Sequence, residues 1–148
     1  MDNSLLHVLA GAAVLLAAGR LSAFAKVARA FPARGRPAGQ RFRFVTVKLG
    51  SLTWTHSLDV TVAASGLFVA SILPFRLFLP ASFLPWDQVK VTQDNPYFID
   101  RVSLEVSSCG FRATFWGQAG AAIVSAYVAA TGARPNNSST PTPLRGAA

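Results

Sequence analysis

Residues 41–62, RFRFVTVKLGSLTWTHSLDVTV, decide how this chain folds. Arg41-Phe42-Arg43-Phe44 alternates polar with apolar side chains, the apolar ones on even positions. Val45-Thr46-Val47-Lys48-Leu49 keeps the alternation but moves the apolar set to odd positions. A period of two is that of a half-buried strand. A shift of face by one residue inside such a strand predicts a β-bulge near Phe44-Val45. Beyond Gly50, Leu52, Trp54, Leu58, Val60 and Val62 fall on even positions, and Ser51, Thr53, Thr55, Ser57, Asp59 and Thr61 on odd ones. That run is long for one strand, and a turn around Thr55-His56-Ser57 is expected to divide it.

The pattern continues downstream. Ala64-Ser65-Gly66 signals a turn. Gly66 to Leu73, GLFVASIL, is apolar on both faces and predicts a strand covered on both sides. Val102, Leu104 and Val106 alternate with Arg101, Ser103, Glu105 and Ser107, and Cys109-Gly110 turns this strand into Phe111 to Phe115, a hairpin. Gln118 to Thr131 places Ala119, Ile123, Ala126, Tyr127 and Ala130 on one helical face, with Gly132 as its stop. Residues 132–148 are rich in Pro, Ser, Thr and Asn, without an apolar run, and are expected to be disordered. A rival reading makes Gly66 to Leu84 a second membrane span. Arg76 at its centre would cost about 2.5 to 3.5 kcal/mol on insertion scales, and Pro74 and Pro80 interrupt helical hydrogen bonding.

Upstream lies a different kind of segment. Leu5 to Ala25, LLHVLAGAAVLLAAGRLSAFA, is 21 residues with one formal charge, Arg20. As a helix it would be roughly 30 Å long, the thickness of a bilayer core. A cleaved signal peptide would carry its basic residues before the apolar run; here they follow it. A transmembrane helix over 5–25 is therefore expected. Arg20, Lys26, Arg29, Arg34, Arg36, Arg41 and Arg43 form the membrane-proximal basic set. By the positive-inside rule, residues 1–4 lie outside and the remainder is cytoplasmic. Gly11, Ala12, Ala13, Ala17, Ala18 and Gly19 give the helix the small-residue surface that packs against partner helices. Residues 26–40, with two prolines at 32 and 37, read as a basic Pro/Gly linker that is solvated or lies on anionic headgroups.

The overall charge takes on a new meaning once it is located. The 148 residues carry a formal +8 and are 51% hydrophobic but only 14% charged. This excludes disorder as the main state. One cysteine excludes an intramolecular disulfide framework and a Cys-rich zinc site. Eight basic residues and no acid fall between Arg20 and Lys48, whereas residues 49–148 hold six basic and five acidic side chains. A basic domain invites a nucleic-acid reading, but this charge follows the apolar segment directly, so a nucleic-acid partner is disfavoured.

From Gly66 to Val91 a turn ending in Gly, an apolar strand, Pro74-Phe75-Arg76 and then Phe83-Leu84-Pro85-Trp86-Asp87-Gln88-Val89 follow in order. This stretch resembles the small bacterial PH-like domains, in which Gly-Leu opens one strand and Ile-Pro-Trp-x-x-Ile closes the next. The resemblance covers roughly residues 41–131. It implies two nearly orthogonal antiparallel sheets, a sandwich or barrel capped by a C-terminal helix. It also extends to small membrane-anchored proteins with one N-terminal helix before such a domain. It brings no catalytic residue. Leu49 to Ser57 has no Lys or Arg, so the resemblance does not extend to inositol-phosphate binding.

No motif for chemistry stands out. His7, His56 and Cys109 do not have the paired spacings of a structural zinc site. Neither a Gly-rich phosphate loop nor a hydrolase or zincin motif is present. Asp87 with Lys90, and Asp100 with Arg101, read as local surface pairs. Phe75, Arg76, Leu77, Phe78, Leu79 and Trp86 form a candidate interaction patch, since so many apolar residues around one arginine are hard to bury in a loop. The sequence reads as an N-terminal transmembrane helix plus a mainly-β, PH-like domain. It would be a non-catalytic, cofactor-free binding or scaffold module in the inner membrane, with membrane lipid and another membrane protein as partners. The alternative is an accessory subunit of a larger membrane complex.

Overall fold

Two paired strands, β1 (Gln40–Leu49) and β2 (Leu52–Ala63), form the spine of the fold in a computed structural model describing Gly11 and residues 23–50, 52–72, 75–77, 79–94 and 101–137. Phe42 pairs with Val60 and Val45 with Leu58, so three steps on β1 match two on β2. The extra residue is Phe44, at φ 56° and 58% exposed. This is the expected bulge. It keeps Phe42 and Val45 facing the core by turning Phe44 outward. The expected turn at Thr55-His56-Ser57 is instead a second bulge: Val47 pairs with Trp54, His56 lies at φ 52°, and β2 runs through unbroken. Ladder pairing on both sides holds the strand together across the distortion.

Five further antiparallel strands follow: β3 (Gly66–Ser71), β4 (Ser82–Pro85), β5 (Lys90–Asp94), β6 (Arg101–Val106) and β7 (Phe111–Trp116). The order is β4-β3-β2-β1-β7-β6-β5, a curled half-barrel. The expected two sheets are thus one continuous sheet. Its halves join where Val47–Leu49 of β1 pair with Ala113–Phe115 of β7. Because Gly66–Ser71 is a strand paired on both sides, this stretch is not a second helical span. The β6–β7 hairpin turns at Gly110, as expected.

Two helices fill the concave side. The C-terminal helix, α2 (Gly117–Thr131), inserts Ala119 and Ile123 into the core and packs the half-buried Ala126 and Tyr127 against it. Ala130, assigned to the same face, is exposed. Gly132 ends the helix at φ 67°, its N–H donating to the Val128 carbonyl at 2.9 Å. The other helix, α1 (Ala23–Ala30), departs from the sequence reading. Phe24 and Val27 are fully buried with Val47, Leu104 and Phe115 in the core, and α1 packs against β4, β7 and the turn at Ser107–Cys109.

Three boundaries therefore shift. The domain extends N-terminal of 41, because Phe24 and Val27 of α1 supply core side chains. Residues 26–30 are helix rather than linker, with Lys26 and Arg29 on the exposed side of α1. Within the tail expected to be disordered from 132, Asn136–Asn137 form β8, parallel to Thr92–Gln93 of β5, and residues 138–148 lie outside the described residues. The expected transmembrane helix lies outside the described residues apart from Gly11 and Ala23–Ala25, and Phe24 and Ala25 belong to the domain core. Among the described residues no helix is long and apolar enough to cross a membrane.

Candidate functional site

The convex face of the sheet carries the odd-numbered residues of β2. Across it Arg41, Thr61, Phe68 and Phe83 stand in register on β1, β2, β3 and β4, with Asp59 and Ala70 in the next row. An aspartate in a row otherwise made of Ser and Thr reads in sequence as a solvent-facing residue. The segment between α1 and β1 buries it. Phe31–Ala33 runs antiparallel to β4: the Phe83 N–H donates to the Phe31 carbonyl at 3.0 Å, and the Ala33 N–H donates to the Ala81 carbonyl at 3.1 Å. Pro32, opposite Ser82, has no N–H to offer, as an edge position permits.

Residues 34–36 then cross the convex face as a strap. The Arg36 guanidinium lies 5.2 Å from the centre of the Phe68 ring and donates to Asp59 Oδ2 at 2.7 Å. Arg41 grips the same carboxylate as a fork, with Nε donating to Oδ1 at 3.0 Å and Nη2 donating to Oδ2. Asp59 is only 7% exposed. Burial pushes its carboxyl pKa upward, but the hydrogen bonds from Arg41 and Arg36 prevail and hold it below the ordinary aspartate value. The strap reaches β1 through Gly39, where a Cβ would lie 2.3 Å from the Val62 carbonyl oxygen, so only glycine fits. With the strap above and the core below, β3 is buried on both faces, as its apolar sequence predicts.

Beside the strap is a cleft of about 390 Å³, lined by Arg34, Arg36, Arg41, Arg76, Phe68 and Ala81 among others. Its floor is the sheet, one wall the strap, and the other the connection between β3 and β4. On the far side of the strap a second cleft of similar size is lined by Pro32, Arg34, Arg36, Pro37 and Phe83. A smaller cleft between α2 and the sheet, at Gln93, Val102, Ala121, Val124 and Ser125, has no charged group.

The candidate residues are thereby redistributed. Arg34, Arg36 and Arg41, read as membrane-proximal charges, join Arg76 from the candidate patch. Arg20 and Phe78 lie outside the described residues, and Arg43 is exposed on β1. Of the patch, Arg76 and Leu77 are exposed, Leu77 at 75%, on the short helical turn Phe75–Leu77. Leu79 and Trp86 do not belong to a surface, because both are core residues. Trp86 donates its indole N–H to the Ala63 carbonyl at 3.1 Å and meets the Tyr127 ring edge-to-face at 6.1 Å, so it ties β2 to α2. Among the described residues no cluster of His, Cys, Asp and Glu is arranged to hold a metal. The expected Asp87–Lys90 pair is not formed: Asp87 accepts from the Gln88 amide, a surface ion pair joins Glu105 to Arg112 across β6 and β7, and Asp100 lies outside the described residues.

No protein-family model matches the chain, and no curated protein matches it.

Proposed function

We propose that this chain is a non-catalytic, membrane-anchored binding or scaffold protein, presenting a PH-like domain on the cytoplasmic side of the membrane. The observation that carries the anchoring is the apolar run 5–25 of the sequence. Its last three residues, 23–25, already belong to α1, which buries Phe24 and Val27 in the domain and leaves Lys26 and Arg29 exposed. An anchor joined in this way holds the domain flush against the bilayer instead of on a long leash, with the basic side of α1 at the headgroups. The strand order β4-β3-β2-β1-β7-β6-β5, followed by a capping helix, supports the PH-like reading. Exposed Leu77 beside Arg76 is the surface that fits a headgroup or an acidic partner best.

Alkaline carbonate extraction of native membranes tests the anchor. The full-length chain is expected to stay in the pellet, and its release into the supernatant would remove the proposal. Purification in mild detergent that returns stoichiometric protein partners would favour the accessory-subunit reading, which the small residues at Gly11 to Gly19 suit.

A further inference from the structure

We propose that the cleft beside the strap is a binding site for a phosphate monoester. Arg34, Arg36, Arg41 and Arg76 line it, and among the described residues the one carboxylate paired with any of them is Asp59. One carboxylate leaves three of those positive charges uncompensated. Arg36 and Arg41 are fixed in place by Asp59, whereas Arg34 and Arg76 form no ion pair among the described residues. Two anchored and two uncommitted arginines make a partly preorganised receptor: the first pair fixes the geometry and the second closes on the ligand.

The geometry selects the ligand class. The donors come from three segments, namely the strap, β1 and the connection between β3 and β4, so a ligand that bridges them has to accept from several sides. A planar carboxylate accepts from one or two coplanar forks. A tetrahedral phosphate offers three terminal oxygens in different directions and can accept from several forks at once. Its double negative charge matches the uncompensated charge better than a carboxylate does. The Thr61 hydroxyl, buried in register between Arg41 and Phe68, has no hydrogen-bond partner among the described residues. Phe68, Ala33 and Ala81 supply apolar wall for the carbon stem of an ester, and the volume is within the range of small-molecule sites. The phosphate can come from a soluble metabolite or from a lipid headgroup, with exposed Leu77 at the rim in the second case. The site does not depend on the membrane-anchoring proposal.

The test is calorimetric titration of the full-length chain in neutral detergent micelles, at constant ionic strength. The probes are inorganic phosphate, glycerol 3-phosphate, and micelles doped with lysophosphatidate. Saturable one-to-one binding of at least one of them is expected. The double variant Arg34→Gln/Arg76→Gln should weaken it by about tenfold or more per arginine lost, since a charge-assisted hydrogen bond is worth at least that factor. Neither side chain is held by an ion pair, so the melting temperature should not change. Soluble phosphates binding as tightly as the doped micelles identifies a metabolite site; binding only to the doped micelles identifies a headgroup site. The proposal is overturned by the absence of binding to all three probes, or by binding that the double variant leaves unchanged. It also fails if an oligonucleotide binds where the monophosphates do not.

Discussion

Asp59 shows how one residue changes meaning between sequence and fold. Its position on the polar face of β2 predicts a solvated carboxylate, and the strap makes it a buried one gripped by two arginines. Because the carboxyl's pKa in the folded state lies below its unfolded value of about 3.9, the stabilisation is fully present above that value. It is lost as the pH falls through the folded value. Urea unfolding at a series of pH values should therefore show a stability plateau at neutral pH and a decline beginning near pH 4. Asp59→Asn should lower the plateau by about 1.5–3 kcal/mol, the range for hydrogen bonds to charged groups. The arginines are partly exposed, which favours the lower end. The gap between variant and wild type should narrow in acid; a constant gap would mean that the carboxylate's charge plays no part.

At the scale of elements, α1 and the strap contradict the reading of residues 26–40 as a spacer. The half-barrel is open on its concave side, and α2 covers only part of it. Phe24 and Val27 complete the cover, and residues 31–36 then close the convex face over β3. Phe24→Ala should cost about 3–5 kcal/mol, as for other fully buried phenylalanines. A fragment beginning at residue 41 should unfold at markedly lower urea than one beginning at residue 23, by circular dichroism. Equal midpoints would show that α1 adds nothing to the core. Periodicity could not reveal this. The first residues of α1 are the last of the apolar run, without a break in composition, so no local signal marks Phe24 as a core residue of the domain.

For the molecule as a whole, the decisive quantity is where the +8 lies in space. In sequence most of it forms one basic run after the apolar segment. In the fold the run divides: Lys26 and Arg29 stay on α1, while Arg34, Arg36 and Arg41 meet Arg76, about 40 residues away, around one cleft. If the domain sits flush on a bilayer with Leu77 toward it, an environment-sensitive fluorophore on Leu77→Cys should shift to the blue in nanodiscs relative to a label on exposed Arg112→Cys. The background for both is Cys109→Ser, since Cys109 is the one free thiol. Identical spectra at the two positions would place Leu77 in water.

Much of the sheet is determined by the sequence alone. Alternation located β1, β2, β6 and β7, the change of face at Phe44-Val45 located the bulge, and the two-sided apolarity of β3 correctly required a cover. Gly110 marked a hairpin turn and Gly132 a helix end. These features are local: each is set by side-chain period or backbone freedom within a few residues. The tertiary structure alone decided what covers β3, that Phe24, Val27, Leu79 and Trp86 are core, and that Asp59 and four arginines share one place. Those outcomes depend on which segments meet across the sheet. Burial, and the pairing of charges that burial enforces, is a property of the assembled surfaces and not of any single stretch of the chain.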